Sequence, residues 1–504
     1  MSRPRRDIRR ILVANRGEIA CRIIQTVQEM GLTAVAVHSD VDAAALHVRR
    51  ADLAHLLGPA NPRESYLNIG KIIDAARATG ADAIHPGYGF LSENPAFAEA
   101  IAAEGLILIG PSARAIREMG SKARSRELME AAGVPVVPGF HGADQNDSTF
   151  RGEAEKIGWP VLIKAASGGG GKGMRIVREA SEFGEALAGA RREAEKAFGD
   201  GRLLLERYIE RPRHIEFQVF GDEHGNLVHL FERECSIQRR HQKIIEESPA
   251  PGLGSELRGK MGDAAVAVAR AVGYTNAGTV EFIVAPGGEF YFLEMNTRLQ
   301  VEHPVTEATI GCDLVSWQIR IARGEALPRS QEEILPRGAA IEARLYAEDP
   351  DNGFLPSAGK ILLYREPTGA GIRADSGIET GSTVPLEYDP ILAKIVAWAE
   401  SREEARQRLI RALDRMAVLG VRTNLPLLRS VADHSAFARG ETHTHFLDDH
   451  SSNFIRGDRK IPWEAFAAAA LANESLVSDS STPRAGAALR RTDPWDGSTE
   501  GGRS

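Results

Sequence analysis

The stretch EFIVAPGGEFYFLEMNTRLQVEHPVTE, from Glu281 to Glu307, decides how this chain is read. Its second half alternates. Leu293, Met295, Thr297, Leu299 and Val301 fall on one face of an extended strand, and Glu294, Asn296, Arg298, Gln300 and Glu302 on the other, because side chains switch faces at every residue. A half-buried strand shows the same alternation with its polar face in water. This polar face is unusual in kind: carboxylates, amides and a guanidinium, with no Ser or Lys filler. It reads as a reaction surface.

The first half supplies a partner strand. Thr279 to Val284 reads as a strand and Ala285-Pro286-Gly287-Gly288 as a turn, so a hairpin is expected. If Val284 and Glu289 close the loop, Glu281 lies opposite Phe292 and is the diagonal neighbour of Glu294, roughly 7–8 Å away between backbones. Two carboxylates that close repel unless a cation lies between them, and oxygen ligands suit Mg²⁺ or Mn²⁺. The alternative is a pair of solvated glutamates.

The chain has 504 residues, enough for about two to four domains. Its 43% hydrophobic and 26% charged content fit a globular enzyme. The net charge of -7 argues against a general nucleic-acid binder. Cys21, Cys235 and Cys312 lie far apart, which excludes a zinc ribbon or disulfide framework and leaves each as a core or incidental residue. No apolar run approaches the roughly 20 residues of a membrane span. The basic start MSRPRRDIRR lacks the apolar run of a signal peptide. A cytoplasmic protein is expected.

Upstream, Ile11 to Ala14 reads as a strand and is followed by a helix with Ile19, Ile23, Ile24 and Val27 at helical spacing. Further strand-helix units continue to Ile109 and predict a parallel, Rossmann-like sheet. No GxGxxG follows the first strand, so a dinucleotide site is not supported. The glycine-rich loop from His85 to Asn94 is either a plain connector or a ligand loop. Ser112 to Ala132 reads as one helix, carrying Lys122.

Next, Lys164 ends a short strand, and Gly168, Gly169, Gly170, Gly171, Lys172 and Gly173 form a loop before the returning strand from Met174 to Val177. Such a loop lets backbone N–H groups approach phosphate oxygens. It is not a Walker A loop, since Ala166 and Gly173 stand where Gly and Ser or Thr are needed. A flexible hairpin is the alternative. The run Arg239, Arg240, His241 and Lys243 is either an anion contact or a solvated basic edge. Beyond Pro336 an antiparallel β-rich domain is expected, closed by a helix from Arg402 to Ala417. Arg344 lies in an apolar strand and calls for an anionic partner. A structural ion pair with Glu342 or Glu348 is the competing idea. The HTHTHF segment with Asp448, Asp449 and His450 could hold a metal or be incidental. Residues 473–504 have a disordered-tail composition.

Together the motifs ILVANRGEIACRI, IHPGYGFLSEN, IGPS, PVLIKAASGGGGKGM, ERYI, RRHQKIIEESPAP, EFYFLEMNTRLQVEHPVTE and IEARLYAEDP resemble one family. The chain resembles the biotin carboxylase subunit of bacterial acetyl-CoA carboxylase and, more broadly, the biotin carboxylase part of biotin-dependent carboxylases, in the ATP-grasp superfamily. The motifs run in family order over residues 8 to 450. The resemblance implies an α/β and α+β fold. It has an N-terminal Rossmann-like domain (1–117), an ATP-grasp domain (118–335, with a mobile lid at about 136–206) and a C-terminal β-rich domain (336–450).

The resemblance also implies roles. Lys122, Lys164 and the glycine loop fall at the ATP phosphates; Glu206, Arg207, Tyr208 and Ile209 at the adenine; Met174, His214, Gln238 and His241 at further ATP contacts. Glu281, Glu294 and Asn296 match the Mg²⁺ or Mn²⁺ ligands. Lys243, Arg298, Gln300 and the Val301 backbone match the bicarbonate site, and Glu302 the general base. Arg344, with Tyr88 nearby, matches the biotin site. Arg207 stands where Lys is common, and Lys172 where some members have Arg. The expected reaction joins bicarbonate to carrier-bound biotin, with ATP consumed through carboxyphosphate. No methionine of this chain is followed by Lys, so the biotin attachment motif is missing. The biotin carboxyl carrier protein and carboxyltransferase are therefore expected on other chains, and a homodimer is expected from the family. Competing readings are another ATP-grasp ligase, the corresponding subunit of a two-subunit pyruvate carboxylase, and a nucleotide-binding subunit without catalysis.

Overall fold

The computed structural model describes residues 6–166, 174–239 and 242–454. Gly168 to Gly173, Arg240, His241 and residues 473–504, all singled out above, lie outside the described residues.

The first sheet is parallel. Its strands are β1 (Arg10–Val13), β2 (Thr33–Ser39), β3 (Leu53–Gly58), β4 (Ala83–His85) and β5 (Ile107–Leu108), in the order β3-β2-β1-β4-β5. Side chains of β1 serve two cores. Ile11 and Val13 pack with Ile19, Ile23 and Val27 of the helix Gly17–Glu29. Leu12 and Ala14 pack on the other face with Ile72, Ile73 and Phe97. A parallel strand covered on both sides must be apolar throughout, and Ile11, Leu12 and Val13 are.

Strands β6 (Gly139–Phe140), β7 (Val161–Ala165), β8 (Arg175–Val177) and β9 (Leu203–Arg207) form a small antiparallel sheet in the order β6-β9-β7-β8. It has its own core around Phe150, Ile163, Phe183 and Leu205. The expected helix from Ser112 to Ala132 is two, Ala113–Gly120 and Lys122–Ala131, because Ser121 is extended and caps the second with its side chain.

The third sheet holds the site. Its eight strands are β10 (Arg213–Gly221), β11 (Leu227–Arg239), β12 (Gln242–Ser248), β13 (Asn276–Val284), β14 (Phe290–Asn296), β15 (Ala339–Tyr346) and the strands Ile372–Ser376 and Ile391–Ala399. Every neighbouring pair is antiparallel. Strand β12 pairs with β15, so the long strands beyond Pro336 extend the central sheet instead of building a separate one. The helix Arg402–Arg415 covers this end, with Leu409 and Leu413 buried against Ile341 and Ile395.

Candidate active site

The hairpin forms, with a different register from the one expected. Glu281 pairs directly with Glu294, and Phe282 with Phe292. Leu293 is the extra residue of a β-bulge. The bulge turns Leu293 out beside Glu294 onto the cavity wall instead of the opposite face. The alternation also does not continue as a strand. Strand β14 ends at Asn296. Residues 297–302 are a loop, and Glu302 is the N-cap residue of the helix His303–Ile310, whose first turn carries Pro304. Arg298 and Gln300 nevertheless line the same cavity as Glu294 and Asn296.

That cavity has a volume of about 1380 Å³. The small sheet supplies Lys164, Met174, Glu206 and Arg207, and Tyr208 and Ile209 follow on; His214, Gln238, Lys243, Glu281, Glu294, Asn296, Arg298, Gln300, Val301, Arg344 and Tyr88 complete the set placed together. Lys122 is exposed and is not on this wall. Lys164 and Glu206, assigned to phosphate and adenine, are ion-paired to each other across β7 and β9.

The floor is a buried charge network. Lys243 Nζ lies 2.5 Å from Glu216, 2.8 Å from Glu281 and 2.7 Å from Glu302. Burial disfavours an ammonium, but these carboxylates hold its pKa well above the ordinary lysine value. Glu302 is fully buried. Burial opposes its charge, yet Lys243, Arg344 and Arg233 together hold its carboxyl well below the usual range. Arg344 bridges Glu302 at 2.9 Å and Glu246 at 2.5 Å. Its partners are thus neither Glu342 nor Glu348, the two carboxylates its sequence neighbourhood suggested; Glu348 pairs with Arg239 instead.

Around Glu281, His214 Nε2 lies at 2.9 Å, and Asn296 donates to it at 2.9 Å. The Glu294 carboxyl is pushed up by the charge of Glu281, then by burial. Lys243 and His214 hold Glu281 charged, and that charge falls on Glu294 across the hairpin. With the amide oxygen of Asn296 nearby, the donor set is hard oxygen and fits Mg²⁺ or Mn²⁺. His214, Glu216 and Glu281 also present ligand atoms within 4.8 Å of one another. Among the described residues, no such group forms at His443 to His450. That segment instead lines the cavity through Thr444, His445 and Asp448, and Tyr208 contacts His445 at 3.3 Å.

Arg298 Nε donates to Glu93 at 2.9 Å, and its other nitrogens reach Gln300 and Asn296 at 3.0 and 3.2 Å. Tyr88 is aimed by its loop. Gly87 has φ +63° and a Cβ there would lie 2.9 Å from Asn15, whose amide donates to Pro86 O and Tyr88 O.

Sequence reasoning missed Glu216, Arg233, Glu246 and Glu93, and took Cys235 as a core or incidental residue. The Cys235 thiol is buried 4.0 Å from Glu302. A signal existed for Glu216: His214, Glu216 and Gln218 alternate with Ile215, Phe217 and Val219, the same period-two pattern as the opening stretch. Nothing local marks Glu93 or Arg233, whose partners are distant in the chain.

Three domain families match the chain in series. Biotin carboxylase, N-terminal domain, covers residues 7–116; Carbamoyl-phosphate synthase L chain, ATP binding domain, covers 121–330; Biotin carboxylase C-terminal domain covers 342–449. A pyruvate carboxylase subunit of Methanothermobacter thermautotrophicus is 50% identical over 453 residues, spanning 90% of this chain and 92% of that protein. The chain belongs to the biotin carboxylase family.

Biotin carboxylases are ATP-dependent ligases. The alpha chain of the mitochondrial methylcrotonoyl-CoA carboxylase of Oryza sativa subsp. japonica is 55% identical over 450 residues, 89% of this chain. The chain spans 61% of the length of that relative. Among solved biotin carboxylases, the biotin carboxylase domain dimer of Hydrogenobacter thermophilus 2-oxoglutarate carboxylase was crystallised with MgADP, ADP and bicarbonate. It superposes with a TM-score of 0.84 at 47% identity, covering 90% of this chain and all of that one. Among the described residues, no helix is long and apolar enough to cross a membrane.

Proposed function

We propose that this chain carboxylates the biotin of a carrier protein, using ATP and bicarbonate. The observation that carries the reading is the placement of Glu302. It is fully buried, gripped by Lys243 at 2.7 Å and Arg344 at 2.9 Å, and beside the paired carboxylates of the β13–β14 hairpin.

Glu302 is ionised, and once Lys243 and Arg344 turn from it to the incoming anions its carboxylate can accept the proton of bicarbonate, while Lys243 and Arg298 balance the charge that develops. The bicarbonate oxygen attacks the γ-phosphorus of ATP, the bond to the ADP oxygen breaks, and carboxyphosphate forms. Carboxyphosphate divides into CO₂ and phosphate. That phosphate takes the proton from the biotin ureido nitrogen, and the enolate attacks CO₂. Arg344 is placed to balance the enolate oxygen once it lets go of Glu302. A Mg²⁺ or Mn²⁺ held by Glu281, Glu294 and Asn296 would offset the phosphate charge. Carboxyphosphate is lost to water, so closure of the small sheet over the cavity, at about residues 136–206, protects it.

The proposal keeps the boundaries expected from the sequence, with an N-terminal part to 117, an ATP-grasp to 335 and a C-terminal part to 450. A homodimer and a separate carboxyltransferase complete it. For the final acceptor, the similarity at 55% to a methylcrotonoyl-CoA carboxylase chain, against 50% to a pyruvate carboxylase chain, favours an acyl-CoA of the methylcrotonoyl type over the expected acetyl-CoA. The deciding measurement is ADP release with ATP, Mg²⁺ and bicarbonate, with and without free biotin. Biotin should accelerate turnover and become carboxylated; if it does neither, the reading fails.

A further inference from the structure

Arg344 and Lys394 are direct partners across β15 and the strand Ile391–Ala399, so their side chains leave the same face of the sheet. They take hold of consecutive residues in the loop above them. Arg344 reaches the Glu302 carboxylate at 2.9 Å. Lys394 Nζ donates to the carbonyl oxygen of Val301 at 3.0 Å. Lys394 is fully buried. Glu18 at 3.2 Å and Asp375 at 3.5 Å balance its charge. Burial disfavours the ammonium, yet these two carboxylates keep it protonated, although burial pushes the Glu18 carboxyl itself up to about 7 and leaves Asp375 the firmer charge. Each is fixed in turn. Glu18 accepts from the Tyr88 hydroxyl, and the Arg373 guanidinium grips both oxygens of Asp375 at 2.7 and 2.8 Å. The Gly377 backbone packs so closely on Glu18 that a Cβ there would lie 2.5 Å from the Glu18 nitrogen.

We propose that Lys394 is a positioning residue for the bicarbonate site. It acts through the Val301 carbonyl on the loop that carries Arg298, Gln300 and Glu302, and through Glu18 on the Tyr88 loop. The inference rests on the function proposed above. Residues 297–302 have no strand ladder to hold them, since β14 ends at Asn296 and the next helix starts at His303. Point contacts must set the loop. Val301 lines the cavity, and a carbonyl oxygen turned into it would repel an incoming anion. An ammonium that draws the oxygen towards the sheet removes that repulsion before the anion arrives. The Arg344 ion pairs run to Glu302 and Glu246, and the hydrogen bond to the Val301 carbonyl comes from Lys394.

Steady-state kinetics test this. Lys394→Met keeps the side chain's length and removes the donor. Its KM for bicarbonate should rise about tenfold or more, with KM for ATP changed by less than about twofold. Lys394→Gln still donates and should recover bicarbonate KM to within about threefold of wild type. Equal rises in both KM values, or a fall in kcat with both KM values unchanged, overturns the proposal. If Lys394→Met does not fold, Glu18→Gln decides. It loses the charge facing Lys394 but still accepts from Tyr88. Its bicarbonate KM should rise about threefold, and an unchanged value overturns the proposal. Wild-type protein in the same assay separates the two failures. Absence of biotin-stimulated ADP release there defeats the proposed function, and this inference with it.

Discussion

Glu281 and Glu294 stand directly opposite each other across the β13–β14 hairpin. Like charges in that position destabilise a sheet, and Glu281 is the main reason the Glu294 carboxyl is pushed up. A divalent cation held between them, as proposed above, would relieve the pair. Glu294→Gln should therefore weaken Mn²⁺ binding about tenfold or more, as measured by calorimetric titration. Chelation should abolish ADP release, and Mg²⁺ should restore it. Undiminished Mn²⁺ affinity in the variant would remove these carboxylates from the metal site.

Glu302→Gln preserves shape and removes the proton acceptor. Turnover should fall by about 10²-fold or more. Turnover close to wild type would exclude Glu302 as the base.

Arg344 joins Glu302 to Glu246 and faces the cavity. Arg344→Ala should reduce biotin carboxylation more than bicarbonate-dependent ATP cleavage without biotin. Equal losses would contradict its assignment to the biotin enolate.

Lys243→Met leaves Glu216, Glu281 and Glu302 without their shared cation. Breaking a buried ion pair costs about 3–5 kcal/mol, so denaturant unfolding should show a loss of that order. ADP release should vanish in the fraction that remains folded. A loss within the error of the method would mean that the three carboxylates find other partners.

His85 is buried, accepts from Gly87 N–H at Nδ1 and meets Gln318 through Nε2. Burial is the main reason its pKa is lowered from 6.5 to about 4. The unfolded chain therefore binds the proton more readily than the folded one. The stability from neutral His85 is present above pH 6.5 and is lost as pH falls towards 4. Between pH 7 and 5 that loss is about 2 kcal/mol. His85→Gln should unfold with a smaller drop between those pH values than wild type; an identical drop would assign the acid sensitivity elsewhere.

Much of this was legible in the sequence for a physical reason. Period-two and helical patterns are local, and they located the parallel sheet and the hairpin; Lys243, Arg298 and Glu302 were joined only by the family motifs, since the alternation does not continue as a strand past Asn296. Two kinds of feature were not legible. The turn pairs Val284 with Phe290, one residue later than expected, and the bulge at Leu293 adds a second residue without altering composition, so Glu294 was expected diagonal to Glu281 and is directly opposite. Buried partners drawn from remote strands, such as Arg233 with Glu216 and Lys394 with Val301, obey no spacing rule. The composition change after Pro336 suggested a separate β unit, but hydrogen-bonding continuity between β12 and β15 leaves no pattern in either strand alone.

That continuity limits how the protein can be cut. Strand β12 is an interior strand, paired with β11 on one side and β15 on the other. A fragment ending near residue 335 would bare a row of unpaired backbone groups on a strand whose Ile244 and Ile245 are now buried. Such an edge is a template for sheet-to-sheet association. That fragment, expressed alone, should form aggregates through that edge, and a Pro or Lys placed on it would make the fragment more soluble without restoring its activity.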